Sequence, residues 1–191
     1  HPKGRQLDAN AQDQILALLG DKPRDRDMLI EHLHLIQDKY GCLSADHLVA
    51  LADEMKMAMT EVYEVATFYA HFDVITDDTN RPPPITIRVC DSVTCEMLGA
   101  EQLISELSKN ASADIRILRA PCMGACDKAP AVAIGHTQIA PATADTALAA
   151  AKNKTHESLP EYVDFNAYEK DGGYTLLREC LDSTRTPDEL I

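Results

Sequence analysis

Three consecutive prolines, Pro82-Pro83-Pro84, split this sequence into two stretches with different hydrophobic periods. A proline run cannot continue a helix and favours an extended link. The polar stretch Asp77-Asp78-Thr79-Asn80-Arg81 precedes it, so a domain boundary is expected there. Upstream, residues 8–76 read as helical throughout. Ile15, Leu16, Leu18 and Leu19 form an apolar stripe stopped by Gly20. Asp25 opens a second segment carrying Met28, Leu29, Leu33, Leu35 and Ile36, which ends at Gly41. Ser44 is a suitable N-cap for a third, with Leu48, Leu51, Ala52 and Met55 on one face. Thr60 is expected to cap a fourth, which leads into Val65, Phe68, Tyr69 and Phe72. Ordinary core packing accounts for nearly all of these residues, including Cys42 as a small hydrophobe at a helix junction. His32, His34, His47 and His71 share no metal-ligand spacing, and His32 and His34 point to different sides of a helix.

Downstream the period becomes two. Ile85, Ile87 and Val89 alternate with Thr86 and Arg88 in a strand ending at Cys90. Residues 98–108, with Leu98, Leu103, Ile104 and Leu107, predict a helix; Ile115, Ile117 and Leu118 mark a second strand. After a loop from Pro121 to Pro130, residues 131–134 and 137–139 predict a hairpin turning at Gly135-His136. Residues 143–151 form a last, alanine-rich helix. The order β-α-β-loop-β-β-α is like the second part of a thioredoxin fold. The expected class is therefore α+β: a helical bundle over 1–80, a small α/β domain over 81–155, and a C-terminal linker over 156–191.

That linker holds nine acidic and three basic residues, nearly half of the chain's net charge of −13. An acidity of this size argues against a nucleic-acid partner, which selects a basic face. With no tryptophan and 5% aromatic residues, a carbohydrate or base-stacking platform is not expected. No apolar run approaches the ~20 residues of a membrane span, and no apolar segment follows His1-Pro2-Lys3-Gly4, so neither a span nor a signal peptide is expected and the location expected is cytoplasmic. Within the linker, Tyr162, Phe165, Tyr168, Tyr174, Leu176 and Leu177 are expected to seek burial. Thr186, Pro187 and Glu189 compose a helix start at the end of the sequence, as if a larger polypeptide continued.

The remaining unusual chemistry is cysteine. Four of the six form two close pairs, Cys90-x4-Cys95 and Cys122-x3-Cys126, while Cys42 and Cys180 stand alone. A disulfide-stapled secreted domain would be shorter and denser in cysteine. Each pair follows a strand, and adjacent parallel strands end on one edge of a sheet, so the two loops can converge there. Four thiolates in one small volume repel one another and lose solvation, so a cation is needed among them. Zinc held by four cysteines accepts such spacings. A thiol-exchange site is less favoured, because no Cys-x2-Cys occurs. A [2Fe–2S] cluster takes two thiolates on each of two irons, and one pair per iron from separate loops suits the wider spacings. Ser92, Thr94, Gly124 and Ala125 are small or polar enough to bring amides close to sulfur. Lys128 reads as a solvated loop lysine, and Met123 as packing or a cap over the site.

The segments Val89-Cys90-Asp91-Ser92-Val93-Thr94-Cys95 and Ala120-Pro121-Cys122-Met123-Gly124-Ala125-Cys126-Asp127-Lys128-Ala129-Pro130 resemble the two ligand loops of the thioredoxin-like [2Fe–2S] subunit of NADH dehydrogenases. Glu64-Val65-Ala66-Thr67-Phe68-Tyr69-Ala70-His71-Phe72 resembles the helix signature ahead of that domain. Residues 162–181, with Tyr168-Glu169-Lys170-Asp171-Gly172-Gly173-Tyr174, are similar to the opening of the flavin- and NAD-binding subunit. That continuity, with Leu29-Ile30-Glu31-His32-Leu33-His34-Leu35-Ile36-Gln37-Asp38, resembles the fused β (diaphorase) subunit of NAD-dependent molybdenum or tungsten formate dehydrogenases. NAD-reducing hydrogenases and respiratory NADH dehydrogenases share the module.

The resemblance implies an electron-transfer component of an NAD-linked oxidoreductase, with one [2Fe–2S] cluster on Cys90, Cys95, Cys122 and Cys126 and no substrate site of its own. A low potential is implied, about −400 mV as for plant-type centres. It further implies an FMN- and NAD-binding neighbour and a catalytic formate dehydrogenase subunit with Mo/W-pterin and further Fe–S clusters. No Gly-rich nucleotide loop occurs in the chain itself. The reading from another class is a zinc-stapled interaction module without a redox role.

Overall fold

The computed structural model describes residues 4–77, 80–153 and 162–190. The chain divides into two units, His1–Glu157 and Ser158–Ile191. The first holds two hydrophobic clusters, one on each side of the proline run.

The upstream cluster is built by four helices: α1 (Ala9–Leu19), α2 (Leu29–Tyr40), α3 (Ala45–Glu54) and α4 (Met59–Phe68). Local chemistry sets their ends. The Asp8 carboxylate accepts from the Ala11 amide at 2.8 Å, and the Ser44 hydroxyl accepts from the His47 amide at 3.2 Å. Asp25 precedes a 3-10 turn, Arg26–Met28, that feeds α2. The fourth helix begins earlier than a Thr60 cap would allow. Glu61 accepts from the Ala58 amide at 3.2 Å, so a glutamate reaching back fixes the start instead of a threonine hydroxyl. Ile15, Leu19, Leu33, Ile36, Leu48, Leu51 and Val62 are fully buried, each contributing about 1.5–3 kcal/mol. Leu16 lies off the stripe and is exposed.

Gly41 ends α2 in the left-handed region (φ 78), with its amide donating to the Gln37 carbonyl at 2.7 Å. Gly41→Ala is expected to destabilise the protein by about 1–2 kcal/mol, read as a lowered urea midpoint at unchanged slope. The short strands β1 (Leu43–Ser44) and β2 (Val74–Ile75) then pair in parallel, tying the α2–α3 junction to the chain leaving α4.

The downstream layer is a four-stranded sheet of order β4-β3-β5-β6, formed by β3 (Ile85–Cys90), β4 (Ile115–Ala120), β5 (Val132–Ile134) and β6 (Thr137–Ile139). β3 and β4 are parallel, with Cys90 opposite Ala120; β5 and β6 add antiparallel through the two-residue turn at Gly135-His136. The crossover between β3 and β4 holds a short helix, α5 (Val93–Met97), and α6 (Ala100–Asn110); α7 (Ala144–Asn153) follows the hairpin. Ile87, Val89, Leu103, Leu107, Val132 and Ala147 close the core between sheet and helices.

One buried cation links the sheet to the residues after α4. Arg88, on β3, donates to the Ala70 carbonyl at 2.8 Å, the His71 carbonyl at 2.6 Å and the Asp73 carboxylate at 2.9 Å. Asp73 also receives Arg116 of β4 at 2.7 Å. Burial pulls the Arg88 guanidinium below its usual pKa, and the Asp73 charge pulls the other way.

The second unit contains α8 (Phe165–Lys170) and α9 (Thr175–Leu181). Gly173 sits against Tyr168 so closely that a Cβ would meet the ring at 2.3 Å. Contrary to expectation, Tyr162, Phe165, Tyr168, Tyr174, Leu176 and Leu177 are all exposed, because two short helices offer too little surface to cover them. At the end of the unit Glu189 accepts from the Thr186 amide at 2.8 Å, around a 3-10 turn. No helix among the described residues is long and apolar enough to cross a membrane.

Candidate metal centre

The parallel register of β3 and β4 carries both cysteine loops to the same sheet edge, as the sequence predicted. Cys90 is the last residue of β3, and Cys122 follows β4 by two. Cys95 lies within α5, not in an open loop, and Cys126 opens a 3-10 turn, Cys126–Lys128. The helical turn folds Cys95 back toward Cys90, and the Cys95 thiol helps to lower the Cys90 pKa. Cys122 Sγ and Cys126 Sγ are 3.5 Å apart. Cys90 and Cys95 are each 2% exposed, whereas Cys122 and Cys126 lie at the surface. The site thus has a buried pair and a solvent-side pair. Cys42 is buried in the helical layer and Cys180 is half-buried on α9, in the second unit.

The surroundings of the sulfurs are polar at close range. The Gly124 amide approaches Cys122 Sγ at 3.4 Å. The Ser92 and Met123 amides and the Ser92 hydroxyl favour the Cys90 thiolate, the Ala131 amide favours that of Cys95, and Thr94 that of Cys126. Burial pushes the Cys90 thiol up, but these donors and Cys95 outweigh it and leave its pKa below the ordinary value. Burial, with Cys90 beside it, raises Cys95. The neighbouring Cys122 thiol is the main cause that raises Cys126. Charge on Cys90 also acts on Cys126, and charge on Cys126 on Cys95, so the two pairs feel one another. Such thiols give up their protons together only to a cation. Met123 packs partly buried against the core, and its carbonyl accepts from Gln138 of β6 at 3.0 Å. Lys128 is exposed, as expected of a solvated loop residue.

A tetrahedral zinc with Zn–S bonds of about 2.3 Å sets all four sulfurs about 3.8 Å apart. Among the described residues, the group of three or more possible metal-ligating side chains with atoms mutually within 4.8 Å is His34, His71 and His136; the cysteines do not form such a group. Two thiols from each of two loops at one sheet edge suit two irons taking two thiolates each. The backbone donors aimed at sulfur suit an anionic cluster.

A sheet with paired thiols at one edge, covered by the packed helices α6 and α7, is a thioredoxin-like layer of the iron–sulfur class. Residues 15–154 match the thioredoxin-like [2Fe–2S] ferredoxin family, and the chain belongs to it. A subunit of the NADH-quinone oxidoreductase of Buchnera aphidicola subsp. Baizongia pistaciae is 31% identical over 118 residues, 57% of this chain and 66% of that one. The corresponding NADH-quinone oxidoreductase subunit of Aquifex aeolicus is 30% identical over 117 residues, 56% of this chain and 70% of that one. The HndA subunit of the NADP-reducing hydrogenase of Solidesulfovibrio fructosivorans is 25% identical over 131 residues, 64% and 74% respectively. The chain thus spans about two thirds to three quarters of these relatives. An NAD+-reducing [NiFe]-hydrogenase structure in the H2-reduced state shares the fold, with a TM-score of 0.50 and 21% identity over 70% of this chain and 24% of that one.

Sequence spacing missed the histidine cluster. Its members lie on α2, after α4 and in the β5–β6 turn, so no local pattern joins them. His32 and His34 face different sides of α2, as expected: His32 Nε2 meets the Pro23 carbonyl at 2.8 Å, and His34 turns toward His71 and His136.

Proposed function

We propose that this chain carries one [2Fe–2S] cluster on Cys90, Cys95, Cys122 and Cys126 and serves as a single-electron carrier in an NAD-linked oxidoreductase. The pairwise gathering of the four thiols at one sheet edge carries this reading. A centre of that kind stores one electron at a time, which bridges a two-electron flavin and one-electron carriers. The chain's part is to hold ligands, exclude water from Cys90 and Cys95, and set the potential through the Ser92, Met123, Gly124 and Ala131 amides. The exposed Cys122–Cys126 side is the face through which electrons pass to a neighbour. That neighbour is an FMN- and NAD-binding domain or subunit, consistent with the relatives named above and with the likeness of residues 162–181 to its opening.

The substrate proposed for the assembly is formate, oxidised on a separate Mo/W-pterin subunit with further Fe–S clusters, in the cytoplasm. Formate gives CO2, one proton and two electrons; NAD+ takes up two electrons and a proton. The Leu29–Asp38 stretch and the fused arrangement support formate over hydrogen or quinone-linked NADH oxidation. Purifying the native assembly and counting its metals decides. Molybdenum or tungsten with formate-dependent NAD+ reduction is expected; nickel would turn the assignment to a hydrogenase, and neither to a respiratory dehydrogenase.

A further inference from the structure

We propose that His34, His71 and His136, with Asp38 behind His136, form a second metal site, selective for a divalent ion of borderline softness such as zinc. One ring nitrogen from each histidine lies within 4.8 Å of the other two. The ring centroids are 4.7 Å apart for His34 and His71, 5.1 Å for His34 and His136, and 5.2 Å for His71 and His136. Tetrahedral zinc with Zn–N bonds of about 2.0–2.1 Å needs nitrogens about 3.4 Å apart, a closure within reach of side-chain rotation.

The three residues come from elements that are already held in place. His71 sits where Gln37 and Arg88 both bind its carbonyl, each at 2.6 Å, and where the Gln37 side chain also takes the Asp73 amide. His34 projects from the middle of α2, and its Nδ1 is buried without a hydrogen-bond partner, which a polar atom seldom tolerates. His136 occupies the exposed hairpin turn, and its Nε2 lies 2.9 Å from both Asp38 oxygens. A carboxylate behind a histidine fixes the ring and raises its basicity as a ligand.

The charges facing the cluster are mixed. Asp38 and Glu31 act on His34, and Asp38 on His71, all favouring a cation. Arg88 opposes it from beside His71, but its charge is spent on Asp73. Burial, with the other rings, lowers His34 and brings His71 down to about 4, so both offer free lone pairs at neutral pH. A bound ion would staple α2 and the segment after α4 to the hairpin, whose Gln138 holds the Met123 carbonyl between two cysteines.

The test uses the full chain, anaerobically loaded with iron and sulfide so that the cysteines are occupied, then dialysed against micromolar zinc. One additional zinc per chain is expected. Zinc-edge X-ray absorption should show nitrogen and oxygen ligands at about 2.0–2.1 Å and no sulfur near 2.3 Å. His136→Gln, on an exposed turn where folding is not at stake, should abolish this binding, and Asp38→Asn should weaken it about 10-fold or more. Absence of the extra zinc, a shell of sulfur without nitrogen, or an undiminished nitrogen shell in His136→Gln would overturn the proposal. The ligand shell reports on the histidines whether or not the cysteines carry iron, so failure of the cluster assignment is seen separately.

Discussion

Serine in place of any one of Cys90, Cys95, Cys122 or Cys126 is expected to strip the chain of its visible absorption and acid-labile sulfide. Cys42→Ser and Cys180→Ser should keep both in full. Loss of an outer hydrogen-bond partner already lowers metal affinity about 10–100-fold, and loss of a ligand lowers it further. At Cys90 and Cys95 the hydroxyl would also be buried, each site being 2% exposed. The measurement is iron and sulfide per chain after anaerobic purification, with the visible spectrum before and after dithionite. A colourless wild-type chain holding zinc would sink the cluster assignment in favour of the zinc-stapled module. Dependence on a single alkylatable cysteine would favour thiol exchange instead.

Arg88→Leu should cost about 3–5 kcal/mol, the range for breaking a buried ion pair from one side. The loss has three parts. Asp73 keeps only Arg116, the Ala70 carbonyl loses its Arg88 donor, and the His71 carbonyl retains Gln37 alone. Arg88→Lys should recover little, because an ammonium on a flexible stem cannot span three acceptors as a planar guanidinium does. Urea unfolding of the loaded protein measures both variants. A change below about 1 kcal/mol for Arg88→Leu would mean that water replaces the guanidinium at that join.

The sequence announced what depends on neighbours along the chain. Caps at Ser44 and Gly41, the strand from Ile85 to Cys90 and the Gly135-His136 turn all follow from local chemistry. So does the meeting of the cysteine loops, which needs only that β3 and β4 run parallel. What depends on residues distant in sequence was not readable. Arg88 looks like the polar half of an alternating strand, yet it is buried because the chain after α4 supplies its acceptors. Some local detail escaped as well. Nothing in the Thr60 cap pattern shows that Glu61 reaches back to Ala58, and Cys95 enters a helix because the crossover tightens directly after the strand. The aromatic residues after 161 suggest a core that their own unit does not contain.

The unequal depth of the two thiol pairs also bears on how the protein is made. Cys122 and Cys126 lie at the solvent face with sulfurs 3.5 Å apart, while Cys90 and Cys95 are shielded. Oxidants therefore meet the outer pair first, because it is the exposed one. If these thiols hold the proposed cluster, iron and sulfide must arrive before the outer sulfurs are oxidised, and the yield of loaded protein would depend on the reducing power of the surroundings during assembly.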